Sequence, residues 1–153
     1  MIVRKGRVGD AAVLVKLDRQ MYTTGFQMDE EAFRKLARGD KGFHKGHHKL
    51  AVAVSAADQV QAYMIYMQMP ITHAGYIVSL GGSASGRTML IDFLLETYAA
   101  KARRFYTHAK PEWGTALLKR VGFKDVGPGN MADEVVPFVE DISKLTVWEK
   151  VVV

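Results

Sequence analysis

Residues 76–96, YIVSLGGSASGRTMLIDFLLE, place an apolar run, a cluster of glycine and serine, and an apolar-periodic segment end to end. Such a junction reads as a strand entering a helix through small residues. Glycines there let backbone N–H groups converge, and the helix behind them adds the positive end of its dipole. The physical use of that arrangement is to hold an anion. It also divides the chain, because the patterns before and after it differ.

Before it, Ile2–Arg4 starts a strand and Asp10 caps AAVLVKLDRQMY, with Ala12, Val15, Leu17 and Met21 as the apolar face. Asp29 opens EEAFRKLARGD, acidic first and basic last, as a helix dipole prefers, ending near Gly39. Residues 39–48 read as a loop. KLAVAVSA and QVQAYMIYMQM are strands joined by a hairpin turn at Ala57-Asp58, and Pro70 ends the second. Tyr63, Met64, Tyr66 and Met67 make that strand apolar on both sides, hence central.

GYIVSL is the next strand, and the helical pattern Met89, Leu90, Phe93, Leu94, Tyr98 is expected to begin at Thr88. RRFYTHA is a short strand, and Pro111 sits at the first turn of PEWGTALLKRV, closed by Gly122. FKDV, EVVPFVE and LTVWEKVVV are β-rich, with Pro137 marking an edge or a bulge. Trp113 and Trp148 read as packing anchors, and Met64, Met67, Met69 and Met89 as core fillers. The order βααβββαβαββ, antiparallel first and βαβ later, argues an α/β (α+β) domain on one sheet.

Composition narrows the function classes. At 153 residues the chain is expected to be one domain, 1–153, with a core of its own. It has no cysteine, so there is neither a disulfide framework nor a thiol nucleophile. No apolar run approaches the ~20 residues of a membrane helix, and MIVRKGRVGD has no apolar block of the signal-peptide kind. A cytoplasmic location and no membrane partner are the expectations. The net charge of +5 favours acidic ligands. Its basic residues are scattered except in KGFHKGHHK, so nucleic acid is not expected as a partner. His44, His47 and His48 have the spacing of metal ligands on a helix. Gly42 and Gly46 argue against a helix, and Lys41, Lys45 and Lys49 would repel a cation, so no metal is expected.

With its glycine loop after the fourth strand and LLKRVGF closing the later helix, the chain resembles the GCN5-related N-acetyltransferase (GNAT) superfamily. The resemblance implies a single GNAT-like domain: a central mixed, mostly antiparallel sheet, splayed after the fourth strand, with helices on both faces. It also implies acetyl-coenzyme A as cofactor and an amine-bearing small molecule or protein as acceptor. The pyrophosphate would rest on backbone amides of Gly82, Ser83, Ala84, Ser85, Gly86, Arg87, Thr88 and Met89, with charge from Arg87. Backbone groups of Val78, Ser79 and Leu80 would pair with the pantetheine arm.

The family motif, Arg/Gln-x-x-Gly-x-Gly/Ala, is altered here. Ser85 replaces its first residue, Thr88 the glycine and Leu90 the last small residue. The family's Tyr general acid falls on Leu118, its helix-start Asn on Pro111, and its strand Glu has no counterpart. An amine nucleophile must shed a proton, and ordered water can accept it. The titratable side chains nearby are Tyr66, His73, Tyr76, Tyr106 and His108, with Tyr76 and His108 as the catalytic candidates.

Two other readings compete. GGSASGRT fits the phosphate-binding loop G-x-x-x-x-G-K-[ST] apart from Arg87 in place of Lys. A guanidinium does not reproduce the compact charge of the lysine, and too little chain follows for a run of parallel βα units. The other is a non-catalytic GNAT-fold protein. Residues 78–123 are similar to GNAT-like proteins of short-tailed bacteriophages, which implies a virion or host-interaction component, with a virion location and a protein partner. A homo-oligomer is also open, with LTVWEKVVV read as an edge strand able to pair between subunits.

Overall fold

Strand β3 (Val60–Met69) is the strand around which the sheet is built. Every residue from Ala62 to Met67 is buried, so both of its faces are covered, as its two-sided apolar sequence predicts. The computed structural model describes residues 1–21, 28–39, 48–69, 74–98, 104–108, 115–128 and 146–151. Its strands form one mixed sheet in the order β1-β2-β3-β4-β5-β7-β6. The remaining strands are β1 (Ile2–Lys5), β2 (Lys49–Val54), β4 (Ala74–Gly82), β5 (Arg104–His108), β6 (Lys124–Pro128) and β7 (Thr146–Val151). The helices are α1 (Ala11–Met21), α2 (Glu30–Arg38), α3 (Ala84–Tyr98) and α4 (Thr115–Arg120). The chain divides into two compact units, Met1–Tyr66 with Ser79–Phe93, and Met67–Val78 with Leu94–Val153.

In the first unit β1, β2 and β3 are antiparallel, with Ile2 opposite Val54 and Lys49 opposite Tyr66. The β2–β3 turn falls where the sequence places it. Asp58 adopts φ 58°, and its N–H donates to Ser55 O at 2.9 Å. Arg4 ties this turn to the start of the chain: it grips Asp10 through Nη1 at 2.8 Å and Nη2 at 3.0 Å, and reaches Asp58 through Nε at 2.9 Å. Asp29 caps α2 by accepting from the Ala32 N–H at 2.8 Å, and Gly39 closes it in the left-handed region.

Alternation along β3 assigns the two faces of this unit. Tyr63 points to the side of α1 and α2, meeting Phe33 edge-on at 5.7 Å. Ala62 points the other way, against the first turn of α3. Helix α1 corrects the expected apolar face. Ala11, Leu14 and Asp18 are buried, whereas Ala12 is exposed and Val15 and Leu17 are half-buried. The buried stripe contains a carboxylate, which an apolar pattern alone does not mark.

In the second unit β4 and β5 pair in parallel over Ala74–Ile77 and Arg104–Thr107. Strand β7 lies between β5 and β6, antiparallel to both. Strand β7, the described part of LTVWEKVVV, is therefore interior and not the edge expected of it: Val147 to Glu149 pair with both neighbours. Gly122 ends α4 at φ 95°, and the Phe123 N–H donates to Leu118 O at 2.9 Å. Phe105, Phe123, Leu117 and Trp148 fill the core here. EVVPFVE, Pro111 and Trp113 lie outside the described residues. Among the described residues no helix is long and apolar enough to cross a membrane.

Candidate functional site

The helix after the glycine-rich segment begins four residues earlier than its apolar periodicity indicates, at Ala84 instead of Thr88. Ser83 is the reason. Its Oγ accepts the Gly86 N–H at 3.1 Å and its carbonyl accepts the Arg87 N–H at 2.9 Å, the work of an N-cap. Its own N–H donates to Gln61 O at 3.0 Å, still in the ladder of the sheet. So strand passes to helix across a single residue, and SASG is cap and first turn.

The glycines answer to packing. Gly82 has φ 105°, and a Cβ there would lie 2.3 Å from Gln61 O and 2.5 Å from Ala62 Cα. A Cβ on Gly86 would lie 2.6 Å from that of Ala62. Both are small because α3 approaches the β3 backbone closely.

What remains for a ligand is the open end of the helix. Ser83, Ala84 and Ser85 are exposed. The N–H groups of Ala84 and Ser85, at the first two helical positions, have no acceptor within the helix. The two replacements in the motif leave this turn uncovered. Thr88 turns its hydroxyl back to Ala84 O at 2.9 Å, and Leu90 is wholly in the core. Arg87, Thr88 and Met89 are half-buried along the next turn, and Gly86 is buried. Upstream, Leu80 is buried and Val78 and Ser79 are half-buried. All three lie beyond Ile77, where the parallel ladder with β5 stops.

The catalytic candidates fare differently. Tyr76 is packed inside the sheet at 1% exposure, opposite Tyr106. Burial raises the Tyr106 phenol above its ordinary value, and hydrogen bonding to Glu149, directly opposite on β7, adds to the shift. Both tyrosines read as core. His108 ends β5 opposite Val147, and its side chain lies outside the described residues, as do His73, His44 and His47. Among the described residues no group of three or more His, Cys, Asp or Glu is placed to hold a metal.

One polar cluster escaped the sequence reading. Asp18 is 2% exposed, yet its Oδ1 accepts the Tyr63 hydroxyl at 2.5 Å and its Oδ2 accepts the Met28 N–H at 3.1 Å. The Tyr63 oxygen also lies 2.9 Å from Ser79 Oγ. Burial pushes the Asp18 carboxyl above the ordinary 3.8, against the lowering effect of its two hydrogen bonds and of Arg19. The signal was there to be found: a lone Asp seven residues after buried Ala11 and four after Leu14, on their stripe.

Strand β4 runs through an N-cap into α3 on a seven-stranded sheet and pairs with β5 in parallel, and this fold is shared with solved GNAT acetyltransferases. Solved structures agree. The chain is similar to Rv2747 from Mycobacterium tuberculosis, solved in complex with CoA and NLQ, at 13% identity and TM-score 0.73, covering 100% of both chains. It is similar to an acetyltransferase of the GNAT family from Staphylococcus aureus Mu50 at 8% identity and TM-score 0.73, covering 99% of each. Tetrahymena GCN5 matches at 18% identity and TM-score 0.64, over 95% of this chain and 86% of that one. By sequence the chain matches no protein-family model and no curated protein.

Proposed function

We propose that the chain is an acetyl-CoA-dependent N-acetyltransferase-like protein acting on an amine. The observation that carries this reading is the open first turn of α3 at the end of β4, with Ser83 as cap and the Ala84 and Ser85 amides unclaimed by the helix. That donor set fits a diphosphate: two N–H groups on exposed residues and a helix dipole. Arg87, one turn on, adds charge. Its hold on the anion is narrower than the run from Gly82 to Met89, since Ser83, Gly86 and Arg87 spend their N–H groups within the fold.

Acetyl-CoA, when bound, supplies an activated thioester. The chain supplies position. Val78 to Leu80 offer backbone groups with which an extended arm can pair as a further strand. Holding amine and carbonyl together is worth several orders of magnitude in rate by itself. A strand N–H can polarise the carbonyl as charge develops on its oxygen.

Titration calorimetry with acetyl-CoA tests the reading. Heat of binding is expected, weakened by Arg87→Ala. Absence of heat, together with no thermal shift at millimolar acetyl-CoA, rejects it.

A second reading has its own support. Leu118, at the place of the family's Tyr, is buried in the core, and Gly82 and Gly86 are explained by packing alone. Those observations favour a non-catalytic GNAT-fold protein, such as a bacteriophage virion or host-interaction component. Failure of the calorimetry, with function retained by Arg87→Ala, supports this alternative.

A further inference from the structure

Asp18, Tyr63 and Ser79 form a hydrogen-bonded chain that crosses from α1 through β3 to β4. Its polarity follows from counting hydrogens. The phenol has one proton, and Asp18 Oδ1 receives it at 2.5 Å. The 2.9 Å contact with Ser79 must then be filled by the serine proton, donated to the phenol oxygen. Ser79 is left with lone pairs and no proton to give. Its hydroxyl is an acceptor, backed by a carboxylate.

The chain also has a direction in depth. Asp18 and Tyr63 are 2% and 0% exposed, whereas Ser79 is half-buried. Asp18 and its N–H partner at Met28 would satisfy each other without any serine. The third member extends the chain to β4, on the stretch Val78–Leu80 that the acetyl-transfer reading assigns to the thioester arm. The inference rests on that reading.

We propose that Ser79 Oγ, oriented through Tyr63 by Asp18, accepts the proton an acceptor amine sheds as its nitrogen attacks the thioester carbonyl. The N–C bond forms as the C–S bond breaks, and sulfur leaves with the bonding pair as a thiolate. The amine proton passes to Ser79, the serine proton to Tyr63 and the phenol proton to Asp18, which ends as a neutral carboxylic acid. Release of that proton to water and protonation of the thiolate complete the balance. This gives the fold a proton acceptor where the family's strand Glu is missing. Tyr63 and Asp18 are positioning residues, acting through Ser79. A carboxyl whose burial has raised it above the ordinary range is a better sink for the proton than an exposed one. Among the described residues, the charged or titratable groups that face it are Tyr63 from β3 and Arg19 from its own helix, while β4 contributes Ser79 and the segment before α2 the Met28 N–H.

The test follows thiol release from acetyl-CoA with spermidine, glutamate and an alanine-terminated peptide as amine probes, across pH, beside calorimetry on the same proteins. Ser79→Ala is expected to keep acetyl-CoA binding, since its backbone is unchanged, and to lose about 100-fold in kcat. Ser79→Thr, which restores the hydroxyl, is expected to recover most of it. In Tyr63→Phe and Asp18→Asn the acid limb of the kcat/KM profile is expected to disappear. In the unmodified protein that limb should track the Asp18 side-chain ¹³C carboxyl titration. Thermal melts identify any variant that has failed to fold, for which Ser79→Ala, with its small change in volume, stands in. Heat of binding with Ser79→Ala at full kcat, or with no thiol release for any of the amines, overturns the relay and leaves the cofactor reading standing. No heat of binding in the unmodified protein overturns both.

Discussion

Tyr63 donates its phenolic proton to Asp18 across 2.5 Å, although 45 residues separate them along the chain. The contact joins the interior of the sheet to the buried stripe of α1. Tyr63→Phe removes a hydrogen bond to a buried carboxylate, and a loss of about 1–3 kcal/mol is expected in denaturant unfolding.

The pH dependence of that site has a definite sign. Asp18 is raised above 3.8 chiefly by burial, so its ionised form is disfavoured in the fold. Its contribution to stability is fully present below 3.8 and is lost as pH rises through the folded value. Melting temperatures of the unmodified protein and Asp18→Asn, compared from acid to neutral pH, should therefore diverge against the unmodified protein as pH rises. A difference that is flat with pH contradicts the shift.

Asp10 behaves in the opposite way. Burial pushes its carboxyl up, but the Arg4 guanidinium and the Arg7 N–H outweigh burial and hold it below 3.8. Its contribution is present above 3.8 and is lost as pH falls through the lower, folded value. Arg4→Met keeps the aliphatic stem and removes the charge. It is expected to cost about 1–3 kcal/mol at neutral pH and progressively less in acid, measured by urea unfolding at several pH values.

Gly82 and Gly86 are expected to resist even a methyl group. Gly82→Ala combines a positive φ with a Cβ 2.3 Å from Gln61 O, both backbone constraints that no rotamer can relieve. A loss of about 2–3 kcal/mol is expected. Gly86→Ala meets the Ala62 Cβ at 2.6 Å, and the paired change Gly86→Ala with Ala62→Gly should recover part of the loss. Equal stability of the single and double variants in thermal unfolding contradicts the packing account.

Ser83→Ala withdraws the side-chain acceptor from the Gly86 N–H and is expected to cost about 1 kcal/mol. Because the first turn of α3 then frays more readily, acetyl-CoA binding by calorimetry should weaken with it.

Much of the architecture was legible because it follows from local chemistry. Asp29 and Gly39 announced the ends of α2, Asp58 announced the hairpin, and the doubly apolar run around Tyr63 announced a central strand. Where neighbours in space decide, the reading slipped. SASG looked like loop because glycine and serine are poor helix formers, yet Ser83 caps the helix and Ala62 leaves room for Gly86. LTVWEKVVV looked like an edge, yet β6 pairs with its second side. Which amides of the strand–helix junction the fold itself uses, those of Ser83, Gly86 and Arg87, could not be read from residue types.

The order of elements and the passage from strand to helix after β4 were settled by the chain alone, because periodicity and turn residues act over a few positions. That Asp18 should be buried, meet Tyr63 and connect through it to Ser79 was decided only on folding. Carboxylate, phenol and hydroxyl come from three elements far apart in sequence, and only the packing of α1 on β3 and the placing of β3 beside β4 bring them within hydrogen-bond reach.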